Sequence, residues 1–219
     1  MTERDAPRWV TVEGCNGVGK THLVSAARVL LGTECIAVAE LPDANPGSLP
    51  GQVIAALAAG GDLFLRGGAP FTETLLLAAL QVHRYETTAP GAKCRLVLED
   101  RGPLTVAVYQ AAILEPDHDS AALATARQIL AMITTWRPLP HTTVLLRDDP
   151  RECLHRFARR IGRAVRPDEA RLISRAGDLY DLLAGEVPGL IVLDRRDTTD
   201  TATAHRIAQI GRTVLATTR

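Results

Sequence analysis

The stretch Gly14-Cys15-Asn16-Gly17-Val18-Gly19-Lys20-Thr21 constrains this chain more than any other. It satisfies the spacing G-x-x-x-x-G-K-[ST], in which glycines let the backbone curl into a nest of inward-pointing N–H groups. The helix that follows adds the positive end of its dipole to the same point. The flanks agree with the motif. Trp9-Val10-Thr11-Val12-Glu13 has strand propensity, and Lys20 to Leu31 carries Leu23, Val24, Ala27, Leu30 and Leu31 at helical spacing. A strand, a nest and a helix in this order form a phosphate cradle. Gly14, Asn16, Gly17, Val18 and Gly19 are expected to line it, Lys20 to reach the β- and γ-phosphates, and the Thr21 hydroxyl to ligate Mg²⁺. The loop therefore calls for a nucleoside triphosphate and Mg²⁺.

The bulk of the chain narrows the partners. Its 219 residues suit a single domain, 1–219, with a sizeable core. Acidic and basic residues balance at 25 each, so no global field favours nucleic acid or an anionic membrane. Apolar runs are too short and interrupted to span a bilayer, and Met1-Thr2-Glu3-Arg4-Asp5-Ala6-Pro7 has no signal-peptide core. Cysteines 15, 35, 94 and 153 show no paired metal-ligand spacing and read as small apolar fillers in a reduced, cytoplasmic setting. The expected partner is a small molecule.

Strand and helix patterns alternate along the whole length, the signature of an α/β fold with a parallel sheet. Strands are expected at 8–13, 35–39, 94–98, 142–146 and 190–193. Helices are expected from 20 to 32, 52 to 59, 72 to 88 with Thr72 as N-cap, 103 to 114, 119 to 136, 150 to 160, from 168, and from 199 to 217. Glu99-Asp100-Arg101 closes the third strand. Acids at the end of a buried strand commonly face a neighbouring phosphate loop, so Glu99 and Asp100 are expected to hold the metal, with Arg101 in the ligand crevice. A solvated charge cluster at a strand-to-helix turn is the plainer alternative.

Together these segments resemble the thymidylate kinase family. Val12-Glu13-Gly14 with the loop is similar to that family's F-E-G loop. Asp100-Arg101, followed by Ala107-Val108-Tyr109-Gln110, is similar to its D-R-Y-x-x-S-x-x-A-Y-Q segment. Asp149-Pro150 matches an aspartate-proline turn after a strand. The resemblance implies a three-layer P-loop kinase fold, with a five-stranded parallel sheet flanked by helices and a short mobile lid at 159–167. It also implies an often homodimeric protein and an acceptor site that includes Tyr109. Deoxynucleoside kinases share the architecture.

The departures concern the acceptor. Where the family has an arginine-glutamate-proline turn, this chain reads Ala39-Glu40-Leu41. Where its third helix carries A-A-D-R-x-x-Q, this chain reads Ala78-Ala79-Leu80-Gln81-Val82-His83-Arg84. An acid in the loop is replaced by Asn16. A monophosphate carries nearly two charges, normally met by arginine forks, and each lost contact costs about 1.5–3 kcal/mol. Arg84, on the same helical face, is a candidate replacement. Glu40, Gln81 and Arg101 also resemble the deoxynucleoside kinase pattern, in which the glutamate deprotonates a 5′-hydroxyl and the glutamine reads the base. An ordinary half-exposed helix face is the plainer reading of Gln81 and His83.

Gly17 supplies no arginine to the loop, so a catalytic arginine is expected from the lid: Arg156, Arg159, Arg160, Arg163 or Arg166, with Arg160 and Arg163 preferred. A basic helix end that favours the dipole is the alternative. By family resemblance alone, Arg195 in the Asp194-Arg195-Arg196-Asp197 turn meets the adenine. The expected activity is phosphoryl transfer from ATP to a nucleoside monophosphate or nucleoside-like acceptor other than ordinary dTMP. Lys20, Arg101 and Glu40 join the lid arginines as catalytic candidates. A nucleoside kinase acting on a free 5′-hydroxyl, or an ATP-binding regulatory protein that is not a kinase, are the alternatives.

Overall fold

The computed structural model describes residues 6–89 and 94–217. It has two compact units. The first holds the sheet: β1 (Arg8–Glu13), β2 (Cys35–Val38), β3 (Leu96–Asp100), β4 (Thr142–Arg147) and β5 (Leu190–Asp194), with helices α1 (Lys20–Leu31), α6 (Pro150–Ile161), α7 (Pro167–Leu183) and α8 (Asp200–Ala216). The second, built from Ala39–Ala89 and Arg101–Leu139, holds α2 (Leu49–Leu57), α3 (Pro70–Thr87), α4 (Pro103–Leu114) and α5 (Asp119–Thr134).

The five strands run parallel in the order β2-β3-β1-β4-β5, as the alternating pattern requires. β1 is central, with Val10 opposite Leu98 on one side and Thr142 on the other. Period-two alternation sends Val10, Val12, Leu96, Leu98, Val144 and Leu146 to one face. There they pack with Leu23, Val24 and Ala27 of α1 and Ala204, Ile207 and Ala208 of α8. Truncating a leucine or isoleucine in such a core costs about 2–5 kcal/mol, so this face fixes where α1 begins and where the loop before it sits.

The second unit has its own core. Leu41, Ile54, Leu77, Leu80, Ala107, Ile129 and Ile133 form it, from α2, α3, α4, α5 and the single turn Leu41–Asp43. α3 starts earlier than its pattern suggests. Its N-cap is Ala69, which has no capping side chain, and Thr72 lies inside the helix. The capping work falls to Glu73, whose buried carboxylate accepts from the N–H groups of Gly67 and Ala69, each at 2.8 Å. No described helix is long and apolar enough to cross a membrane.

Candidate active site

The phosphate loop sits in the first unit between β1 and α1. Gly17 and Gly19 have φ of +82° and +92°, a region closed to most side chains. Gly17 is also pressed against α6, where a Cβ would lie 1.9 Å from the Cys153 carbonyl oxygen. Gly19 is the N-cap of α1 and supplies no side-chain oxygen, and no acid stands in the first turn of that helix. The buried Lys20 donates from Nζ to the Gly14 and Cys15 carbonyls at 2.8 and 2.9 Å. The Thr21 hydroxyl donates to Asp100 Oδ2 at 2.5 Å. A glycine nest, a lysine folded over it and paired hydroxyl and carboxylate oxygens are the donor set that a triphosphate and Mg²⁺ require, so the residues fit these groups. A cavity of about 370 Å³ opens beside the loop, bounded by Cys15, Val18, Leu146, Asp148, Ile173 and Tyr180.

Asp100 and Glu99 are parted by the strand that carries them. β3 runs to Asp100, two residues past its expected end. Alternation turns Asp100 to the face of Val12 and Leu98, and turns the fully buried Glu99 to the face of Thr11, its register partner. Glu99 is therefore not beside Thr21, and Asp100 alone of the pair reaches it.

Two arginines brace the loop from outside it. Arg156 of α6 donates from Nε to the Gly17 carbonyl at 2.8 Å and from Nη2 to Asp148 Oδ2 at 2.6 Å. Arg195, just past β5, donates to the Val18 carbonyl and to Asp200, and its Nη1 lies 3.7 Å from the same Asp148 oxygen. Arg195 is thus placed against the phosphate loop; a Cβ on Gly19 would meet its Nη1 at 2.7 Å. Of the two lid arginines preferred from the sequence, Arg160 lies over the Phe157 ring at 5.2 Å. Arg163 is held in a fork by Glu169, with bonds of 2.6 and 2.8 Å. Glu169, fully buried, also accepts from the Arg166 N–H. The Arg163 hydrogen bonds hold its carboxyl down to about 2. Arg163 therefore ties the 163–166 connection to α7, and it is Arg156 that bonds the loop.

Of the acceptor candidates, Asn16 lies in the first unit, and Glu40, Gln81, Arg84, Arg101 and Tyr109 lie in the second. Arg101 has φ of +61°, rare for a side chain of its size, and its Nε lies 2.5 Å from Glu40 Oε1. The guanidinium stacks over Tyr109 at 5.4 Å, and Tyr109 stacks on Phe64 with ring centroids 6.1 Å apart. Arg66 lies over the Phe64 ring at 5.7 Å and forks onto Asp62. Gln81 is buried, and its Oε1 accepts from Arg137, itself 1% exposed. Arg84 donates to the Ala39 carbonyl at 2.8 Å and the Arg101 carbonyl at 2.9 Å. Its fork is turned onto the backbone, which differs from the role of a replacement phosphate ligand.

No family model matches the chain, and no curated protein is similar to it in sequence. Among solved structures, thymidylate kinase from Candida albicans superposes with a TM-score of 0.67, covering 94% of this chain and 92% of that chain at 15% sequence identity. The fold is that of a thymidylate kinase. At this identity the likeness is one of architecture, and it extends over both units. Sequence reasoning passed over Asp148 and Arg137 and did not prefer Arg156. Asp148 had a signal in standing beside the Asp149-Pro150 turn at the end of β4; Arg137, beyond a helix end, had none.

Proposed function

We propose that the protein is a phosphotransferase that moves the γ-phosphoryl group of ATP to a nucleoside, with a hydroxyl as the acceptor group. The observation that carries the hydroxyl is the Glu40–Arg101 pair. A monophosphate acceptor would bring nearly two negative charges to a corner where Arg101 is already matched by Glu40 and Arg84 is turned onto backbone carbonyls. Each such charge about 4 Å from the Glu40 carboxylate would be disfavoured by about 4 kcal/mol at an effective dielectric constant of 20. A neutral hydroxyl meets no such repulsion. Glu40 accepts its proton as the acceptor oxygen bonds to phosphorus and the bond to the ADP leaving group breaks, while Arg101 holds the carboxylate in place.

In this reading Gly14 to Gly19 and Lys20 bind the triphosphate, and Thr21 and Asp100 hold Mg²⁺, which neutralises phosphate charge. Arg156, like Arg195, braces the loop through one of its carbonyls rather than meeting the transferred group or the adenine. Gln81 faces the base with an amide whose orientation Arg137 sets, and Tyr109 with Phe64 forms the aromatic wall. The test is ADP release from Mg²⁺–ATP with a panel of free nucleosides and nucleoside monophosphates. Acceleration by nucleosides supports the reading. Acceleration by monophosphates alone would return the acceptor to the thymidylate kinase type. No acceleration above hydrolysis would point to an ATP-binding regulator.

A further inference from the structure

We propose that Arg84 is a positioning residue: its guanidinium staples the backbone after β2 to the backbone after β3, and so presents Glu40 and Arg101 as one pair. The inference rests on the phosphotransferase reading for its kinetic consequence, while its structural content stands on geometry alone. Arg84 lies in the last turns of α3, nine-tenths buried. One terminal nitrogen is 2.8 Å from the carbonyl of Ala39, the residue immediately before Glu40, and the other is 2.9 Å from the carbonyl of Arg101 itself.

A planar guanidinium holds its two terminal nitrogens at a fixed separation, so binding one carbonyl with each fixes the distance and angle between the two corners. A lysine ammonium has no such fork. The staple also explains a conformation that Arg101 would not adopt unaided. A non-glycine residue at φ of +61° persists only where its surroundings over-determine it, and here the carbonyl bond, the Glu40 ion pair and the Tyr109 ring do so together. Gln81 stands three residues before Arg84 on the same helix face, so one rigid element carries both the staple and the candidate base reader.

The test uses the full chain in four forms: wild type, R84A, R101A and R84A/R101A, with the best acceptor. R84A should lower kcat about 100-fold, the scale of a misplacement of about 1 Å, and leave ATP affinity within about twofold. Guanidinium ion at millimolar concentration should restore part of the lost kcat. In the R101A background, R84A should cost less than about threefold more, because a staple acts through what it holds. Fully additive losses, or a raised acceptor KM with kcat intact, would overturn the proposal and make Arg84 a direct ligand. Should R84A fail to fold, R84Q, which keeps one donor, takes its place in the same cycle. If the wild type transfers to no acceptor, the phosphotransferase reading falls and the crystal structure of R84A decides the staple. A negative φ at Arg101 with the Glu40 pair parted supports it, and an unchanged corner overturns it.

Discussion

The phosphate loop and the Glu40–Arg101 corner are held by the same device in two dialects. Around the loop, Arg156 and Arg195 grip the carbonyls of Gly17 and Val18 and have Asp148 as a common carboxylate neighbour. At the corner, Arg84 grips the carbonyls of Ala39 and Arg101, and Arg137 grips Gln81. Each unit thus uses arginine to fix backbone or amide groups. The loop's own chemistry is written in contiguous residues, whereas the corner is assembled from positions 40, 81, 84, 101 and 109. A contiguous site tolerates drift elsewhere in the chain; an assembled one changes its ligand whenever a single member changes.

The most damaging way to probe this comparison is Lys20→Ala. Phosphoryl transfer should fall at least about 1000-fold while the circular dichroism spectrum stays native, because the nest is shaped by glycine and Lys20 supplies charge. Wild-type turnover would remove the loop from the mechanism. Next is Glu40→Gln, which keeps the shape and deletes the base. It should lower kcat about 100-fold or more with ATP affinity unchanged, since the change lies wholly in the second unit. A matching loss of ATP binding would show that the two sets are not separable. The smallest effect belongs to Glu169→Gln, which should lower stability by about 2–4 kcal/mol, measured by urea unfolding. Its pH dependence has a definite sign. The folded carboxyl is depressed from 4.5 to about 2, so its contribution is complete above pH 4.5 and is lost as pH falls towards 2. Wild type and E169Q should therefore converge in stability over that window and differ most at neutral pH.

The phosphate loop could be read from the sequence because its function needs glycine at fixed spacing between a strand and a helix. Among the described residues, five strands and eight α-helices stand in the expected order because alternation and helical spacing are local properties. What escaped was set by contacts between distant residues. Thr72 looked like a cap, but Glu73 reaches back to Gly67 and Ala69 and moves the helix start. Glu99 and Asp100 were expected to hold the metal together because acids at the end of a buried strand commonly face a phosphate loop; both lie within β3, where neighbours face opposite ways. Among five arginines in one basic stretch, Arg156 differs only in standing over Gly17, which spacing could not reveal. Arg84 bonds the carbonyls of Ala39 and Arg101, a use of the backbone that has no sequence signature.

The central position of β1 carries a consequence for how the chain is made. Its partners are β3 and β4, so Trp9 pairs with Val97 and Val12 with Val144, the second pairing reaching across more than half the length of the chain. As the protein is synthesised from its N-terminus, the strand that leads into the phosphate loop waits without either neighbour until β3 emerges, and without the second until β4 does. Loop closure over such separations makes pairing slow compared with local helix formation. The α2–α5 segments, by contrast, all emerge before β4, so the helical unit can collapse first. The most recognisable part of the sequence is thus among the last to be built.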